Sequence, residues 1–163
     1  MLKPFAIFLA ALATAPAGAQ LRQHPELGLE AASRLAARAL QVCRGEGRTI
    51  VVSVVDRGGN LVVLQRDDGV GPHNTEASRR KAYTALSTRR PTLLLARDAH
   101  AAADTRNLAA RPELLLLGGG VPLFAQQQVV GAIGVAGGGG PLHDDACARS
   151  AVKAVPELDQ PTP

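Results

Sequence analysis

The stretch TIVVSVVDRGGNLVVLQR, residues 49–66, decides the fold class. Residues 49–55 are β-branched at nearly every position. Successive side chains of a strand point to opposite faces. Val51 and Val55 therefore face one way, and Ile50, Val52 and Val54 the other. Apolar residues on both faces describe a central strand covered from both sides. Asp56, Arg57, Gly58, Gly59 and Asn60 form a turn rich in residues that tolerate positive φ. Residues 61–66 return, so the stretch is a hairpin.

Helical periodicity precedes it. Across residues 28–46, Ala32, Leu35, Ala36, Ala39, Leu40 and Cys43 recur at spacings of three and four, with Arg34, Arg38 and Gln41 on the other face. Gly45 and Gly47 stop this helix. After the hairpin, a polar loop over 67–73 leads to a second helix. It starts near Asn74 or Thr75, both good N-caps, and runs to Ser87 or Thr88. Its apolar side is small (Ala77, Ala82, Ala85, Leu86), which lets a helix sit close to a sheet. Residues 91–117 are the least regular part, with a short helix predicted over 99–108 and a strand over 113–117. Residues 121–125 and 129–136 read as a second hairpin joined across Gln126, Gln127 and Gln128. Residues 137–140 are a glycine loop. A last helix beginning near Asp144 carries Cys147, Ala151 and Val155 on one stripe, with Asp145 and Arg149 as an i, i+4 ion pair. Two antiparallel hairpins with helices before, between and after them make an α+β fold.

The first nineteen residues have the pattern of a secretory leader. Lys3 supplies the positive start, residues 5–15 an uncharged and mostly apolar run, and Ala17 and Ala19 the small residues of a cleavage site before Gln20. The apolar run is shorter than the roughly 20 residues of a membrane span. The expectation is a periplasmic or secreted protein with no stable membrane insertion, built as a single domain over 20–155 and a flexible tail over 156–163. Once the leader is removed, Tyr83 and Phe124 are the only aromatic residues. Single-stranded nucleic acid is usually held by stacking on several aromatics, so nucleic-acid binding is disfavoured. The formal net charge of +4 speaks to solubility more than to partners. Cys43 and Cys147 are an even pair in a chain sent to an oxidising compartment, which reads as a disulfide. The alternative is two buried free thiols.

Several segments together resemble one family. They are Val54 through Leu61 followed by Arg66-Asp67-Asp68-Gly69, Ala77 with Arg80 through Ala85, Gly118 through Leu123, Val130 through Gly137, and Asp144 through Ala148. In this order they are similar to the GlcG/HbpS family, which includes the C-terminal domain of PduO-type proteins. The resemblance implies a profilin-like three-layer α/β/α fold with a five-stranded antiparallel sheet. It implies that the first and last helices lie together, bringing Cys43 and Cys147 within reach. It also implies a homo-oligomer and, in several members, bound haem.

His73 is the leading candidate site residue, at the start of a helix near Asp67, Asp68 and Glu76. Its imidazole suits an axial position on haem iron, or, with Asp67 and Glu76, a free iron or other divalent metal ion. A surface histidine helping to cap the helix is the plainer reading. His24, His100 and His143 are weaker candidates. Lys81, with Arg80 beside it, suits a haem propionate or another carboxylate, or else a structural ion pair with Asp56 or Asp68. Gly137 and Gly138 fit a close-approach loop lining a ligand pocket. No serine lies in a G-x-S-x-G setting and no zinc spacing exists. The expected function is non-catalytic binding of haem or a related tetrapyrrole. The alternatives are an enzyme or accessory factor acting on a small carboxylate through Asp56, Asp68 and Lys81, or a metal-binding module.

Overall fold

The computed structural model describes residues 23–159. The expected leader and residues 160–163 of the expected tail lie outside them. Helix α1 spans Leu29–Gly45, strands β1 and β2 span Val51–Asp56 and Leu61–Arg66, and α2 spans His73–Thr88. Helices α3 (Thr92–Ala101) and α4 (Ala103–Arg106) follow, then a 3-10 turn at Asn107–Ala110. Strands β3 (Gly120–Ala125) and β4 (Gln128–Ala136) precede α5 (Pro141–Lys153). The strands form one antiparallel sheet in the order β2-β1-β4-β3.

As its β-branched pattern demands, β1 is central, with residues 51–55 all buried. On one face Val52, Val54, Val121, Leu123, Ile133 and Val135 pack with the apolar stripes of α1 and α5. Those helices are joined by the Cys43–Cys147 disulfide, with Cα atoms 5.8 Å apart. On the other face lies α2, against Val55 and Ala132. Its backbone comes unusually near: a Cβ built on Gly134 would stand 2.0 Å from the Ser78 carbonyl oxygen, and one on Gly120 2.3 Å from that of Lys81. Glycine in the sheet and Ser78 and Ala82 on the helix permit this approach. The Ser53 and Ser78 hydroxyls meet across it at 2.7 Å.

Four elements differ from expectation. The sheet has four strands among the described residues, not five: residues 113–117 do not pair. Side chains from α2 and α3 occupy the backbone groups a ladder would use. Arg80 Nη2 donates to the Leu114 carbonyl at 2.6 Å, the Leu115 N–H donates to Thr84 Oγ1 at 2.8 Å, and Thr92 Oγ1 donates to the Leu117 carbonyl at 2.7 Å. The short helix predicted over 99–108 begins earlier, at Thr92, directly after Pro91. Helix α5 begins at Pro141 rather than Asp144, because proline at the first position gives up an N–H that has no helical acceptor anyway. Residues 156–159 are docked rather than loose: Leu158 is buried, and the Asp159 N–H donates to the Phe124 carbonyl at 2.7 Å. The Asp159 carboxylate also accepts from the N–H groups of Gln126 and Gln127, at 3.2 and 2.7 Å. Those two residues make the β3–β4 turn at positive φ, 52° and 63°, a conformation that Asn-Gly adopts more readily.

Candidate functional site

Helix α2 presents the sheet with its small side and turns another side outward. His73, Glu76, Ala77 and Arg80 follow at i, i+3, i+4 and i+7, which places them on one face of a helix. With Leu115 and Leu117 they line a groove of about 420 Å³ whose walls are mostly apolar. Leu115 and Leu117 are available to it because residues 113–117 run along α2 instead of joining the sheet. The His73 imidazole is exposed at the groove's edge, and Gly71 lets its ring lie close: a Cβ there would meet His73 Cε1 at 3.1 Å. Glu76 is clasped by Arg79 at 2.7 and 3.0 Å, and that hydrogen bond holds its carboxyl below the usual carboxylate range. Arg80 spends one terminal nitrogen on Leu114, and its Nε is buried with no partner among the described residues. A buried donor without a partner is uncommon and marks Arg80 as an unusual member of the groove's wall.

Three of the expected ligand residues, His73, Glu76 and Arg80, thus come together. The others do not. Lys81 points inward, only 1% exposed. Its ammonium donates to Asp144 Oδ2 at 2.7 Å and to the Val135 carbonyl at 2.9 Å. The expected partners Asp56 and Asp68 are wrong: the partner is 63 residues away, on α5. Burial pushes the Lys81 ammonium below the ordinary lysine value, against the attraction of Asp144 and Asp145. No path leads from Nζ to a propionate.

Gly138 binds the same carboxylate. The Gly138 N–H donates to Asp144 Oδ1 at 2.8 Å, and the Gly138 carbonyl accepts from Arg48 at 2.6 Å. A Cβ on Gly137 would meet Val70 Cγ1 at 2.9 Å. The anion that the glycine loop holds is the chain's own Asp144. Gly137 and Gly138 therefore do not line the groove on α2.

Asp67 is buried and structural: Arg44 binds it at 2.5 and 2.7 Å, and it accepts from the Ile50 N–H at 2.9 Å. Among the described residues, no three His, Cys, Asp or Glu side chains stand close enough to hold a metal ion, so His73, Asp67 and Glu76 are not one ligand set. Asp56 and Asp68 lie at opposite ends of the β1–β2 hairpin, because Val51 pairs with Arg66 and the turn follows Asp56. With Lys81 interior, these three do not form a carboxylate-handling site. The residues that sequence reasoning missed are Ala77, Leu115 and Leu117. The leucine run itself is plain in the sequence, but its placement along α2, with Leu117 41% exposed, is not.

The chain is a domain of the three-layer α/β/α class, with an apolar groove on its middle helix edged by an imidazole and a guanidinium. Comparison with known proteins narrows the class. The family model described as haem degrading protein HbpS-like matches residues 27–153, and the chain belongs to that family. It is 31% identical to GlcG of Escherichia coli K12 over 109 residues, 67% of this chain and 80% of that protein. A crystal structure of a double mutant of Streptomyces reticuli HbpS superposes with a TM-score of 0.79 at 38% identity, covering 90% of this chain and 98% of that one. The crystal structure of a PduOC–haem complex shares the fold with a TM-score of 0.75 at 23% identity, covering 85% of this chain and all of the other.

Proposed function

We propose that this chain is an exported haem- or tetrapyrrole-binding protein, without catalytic turnover, that holds its ligand in the groove between α2 and residues 115–117. The observation that carries the reading is the convergence of His73, Arg80, Leu115 and Leu117 on one cavity. Its volume falls in the usual range for small-molecule sites, about 300–1,000 Å³. The leucines and Ala77 offer apolar contact to a macrocycle. Arg80, whose guanidinium belongs to a residue of the groove's wall, suits a propionate. His73 suits the iron. The family's description in terms of haem and the haem-bound relative support the ligand class. The leader pattern at residues 1–19 supports export to an oxidising compartment, and the Cys43–Cys147 disulfide is consistent with it. Assembly as a homo-oligomer belongs to the same reading and is checked by light scattering.

Titration of hemin into the purified protein tests the proposal. The expected result is a saturable Soret shift at micromolar hemin, with His73→Ala weakening binding about tenfold, or about 1.4 kcal/mol. No shift at micromolar hemin overturns the haem reading. Loss of the Soret band in aerobic ascorbate, faster than for free hemin, overturns the non-catalytic part and makes the chain a haem-degrading enzyme.

A further inference from the structure

The opposite end of α2 carries a second cleft that the haem reading does not use. The β1–β2 turn, the β3–β4 turn and the last turn of α2 converge there, since Asp56 pairs with Gly131 near the start of β4. Two adjoining cavities of about 420 and 260 Å³ share Arg57, Arg89 and Val129. Tyr83 lines the first and Phe124 the second. These are the only aromatic residues beyond the leader, and both are half-buried, with ring surface left open. Gly59, at φ 83°, lets the Tyr83 ring pack against the hairpin turn, where a Cβ would stand 3.0 Å from Tyr83 Cε2.

The cleft is also where the backbone departs from ordinary conformations. The non-glycine residues at positive φ among the described residues are Arg89, Gln126 and Gln127. Two of them, Arg89 and Gln127, line the cleft. Arg89 occupies the left-handed position that ends α2, at φ 54°, where glycine is the usual residue. Backbone strain of this kind concentrates at ligand sites. Among the described residues the guanidinium groups of Arg57 and Arg89 make no ion pair or side-chain hydrogen bond. The nearest carboxylate contact is Glu26, which accepts from the backbone N–H of Arg57 at 3.2 Å.

We infer that this cleft binds a small aromatic carboxylate, its anionic group between Arg57 and Arg89 and its ring against Tyr83 and Phe124. Two guanidinium groups shared by two cavities define where the negative charge goes. Tyr83 in one cavity and Phe124 in the other, each beside Val129, offer ring surface next to that charge. The site is separate from the His73 groove: α2 is about 24 Å long at 1.5 Å per residue, and the two lie at its two ends.

The probe is 4-fluorobenzoate, followed by ¹⁹F NMR on the full purified protein. Saturable binding with a Kd below about 1 mM is expected, with neutral 4-fluorobenzamide at least tenfold weaker (about 1.4 kcal/mol). Arg57→Gln and Arg89→Gly are each expected to weaken the benzoate at least fivefold. Arg89→Gly separates binding from folding, because glycine takes the left-handed backbone without strain and the variant melts no lower than the parent. Equal affinity for benzoate and benzamide overturns the inference, as does Arg89→Gly with unchanged affinity. Displacement of the probe by saturating hemin overturns the separateness of the two sites. A chain that takes the probe but no hemin sinks the haem reading and leaves this one standing.

Discussion

Replacing Lys81 with methionine tests the buried ion pair that pins α2 to α5. Methionine keeps most of the side-chain volume and removes the charge. Lys81 and Asp144 are 1% and 5% exposed as side chains, with Nζ and Oδ2 2.7 Å apart. In the variant, Asp144 stays inside with, among the described residues, only the Gly138 N–H at 2.8 Å to satisfy it, and the Val135 carbonyl loses its Lys81 donor. Removing one partner of a buried pair strands a charge and costs about 3–5 kcal/mol. That is a large share of the 5–15 kcal/mol that stabilises a typical domain. Guanidinium unfolding followed by far-ultraviolet circular dichroism measures it. The double variant Lys81→Met with Asp144→Leu removes both charges. Its stability is expected to return at least 2 kcal/mol toward the parent, since apolar replacement of a whole pair is often near neutral. A single variant that loses less than about 1 kcal/mol refutes the reasoning, and so does a double variant that loses the sum of the two single losses.

Three further outcomes follow from the same geometry. Changing Cys43 and Cys147 to alanine opens a link spanning 104 residues and is expected to lower stability by about 2–5 kcal/mol, read as a shift in the denaturation midpoint. Gly134→Ala places a methyl group 2.0 Å from the Ser78 carbonyl oxygen. Backbone cannot yield as a side chain can, so a loss of about 1–3 kcal/mol or more is expected, against less than 0.5 kcal/mol at the open position Gly28. At Asp56, burial works to raise the carboxyl pKa, but the Asn60 amide and the turn N–H groups of Asn60, Gly58 and Gly59 outweigh it and hold the group below 3.8. A depressed carboxylate contributes stability above its unfolded value and loses it as pH falls through the folded one. The stability gap between the parent and Asp56→Ala should therefore shrink below pH 3.8, and a pH-independent gap counts against the turn's charge.

The parts of the fold legible in the sequence are those set by neighbours along the chain. The β-branched run at 51–55 gave a strand buried on both faces, the polar turn at 56–60 gave the hairpin, and the three-and-four spacing through Cys43 gave α1. The parts not legible depend on partners far away. Residues 113–117 have a strand's composition, yet Arg80, Thr84 and Thr92 take their backbone groups. Nothing local distinguishes a leucine run that joins a sheet from one that lies along a helix. Lys81 showed the same limit: its cationic character was plain, but whether it met a ligand or Asp144 depended on the direction the helix turned it. The tail misled for the opposite reason. The tail is expected to be flexible from residue 156, yet over 156–159 one carboxylate, Asp159, ties it to a turn that needs its acceptors.

The candidate site was legible where it lay on one element. His73, Glu76 and Arg80 share a helical face by spacing alone, and the groove needed only the leucines that the missing strand leaves beside them. The failed strand and the groove are thus one fact: had residues 113–117 entered the sheet, Leu115 and Leu117 would have left the face of α2 and the groove would have lost its far wall. The same helix carries the arginine-lined cleft at its other end, and the Lys81–Asp144 pair lies between the two along its length. Because Ser78 and Ala82 rest backbone to backbone on Gly134, α2 cannot slide or tilt without a clash. A rigid middle with two open ends lets one helix wall both the His73 groove and the arginine-lined cleft.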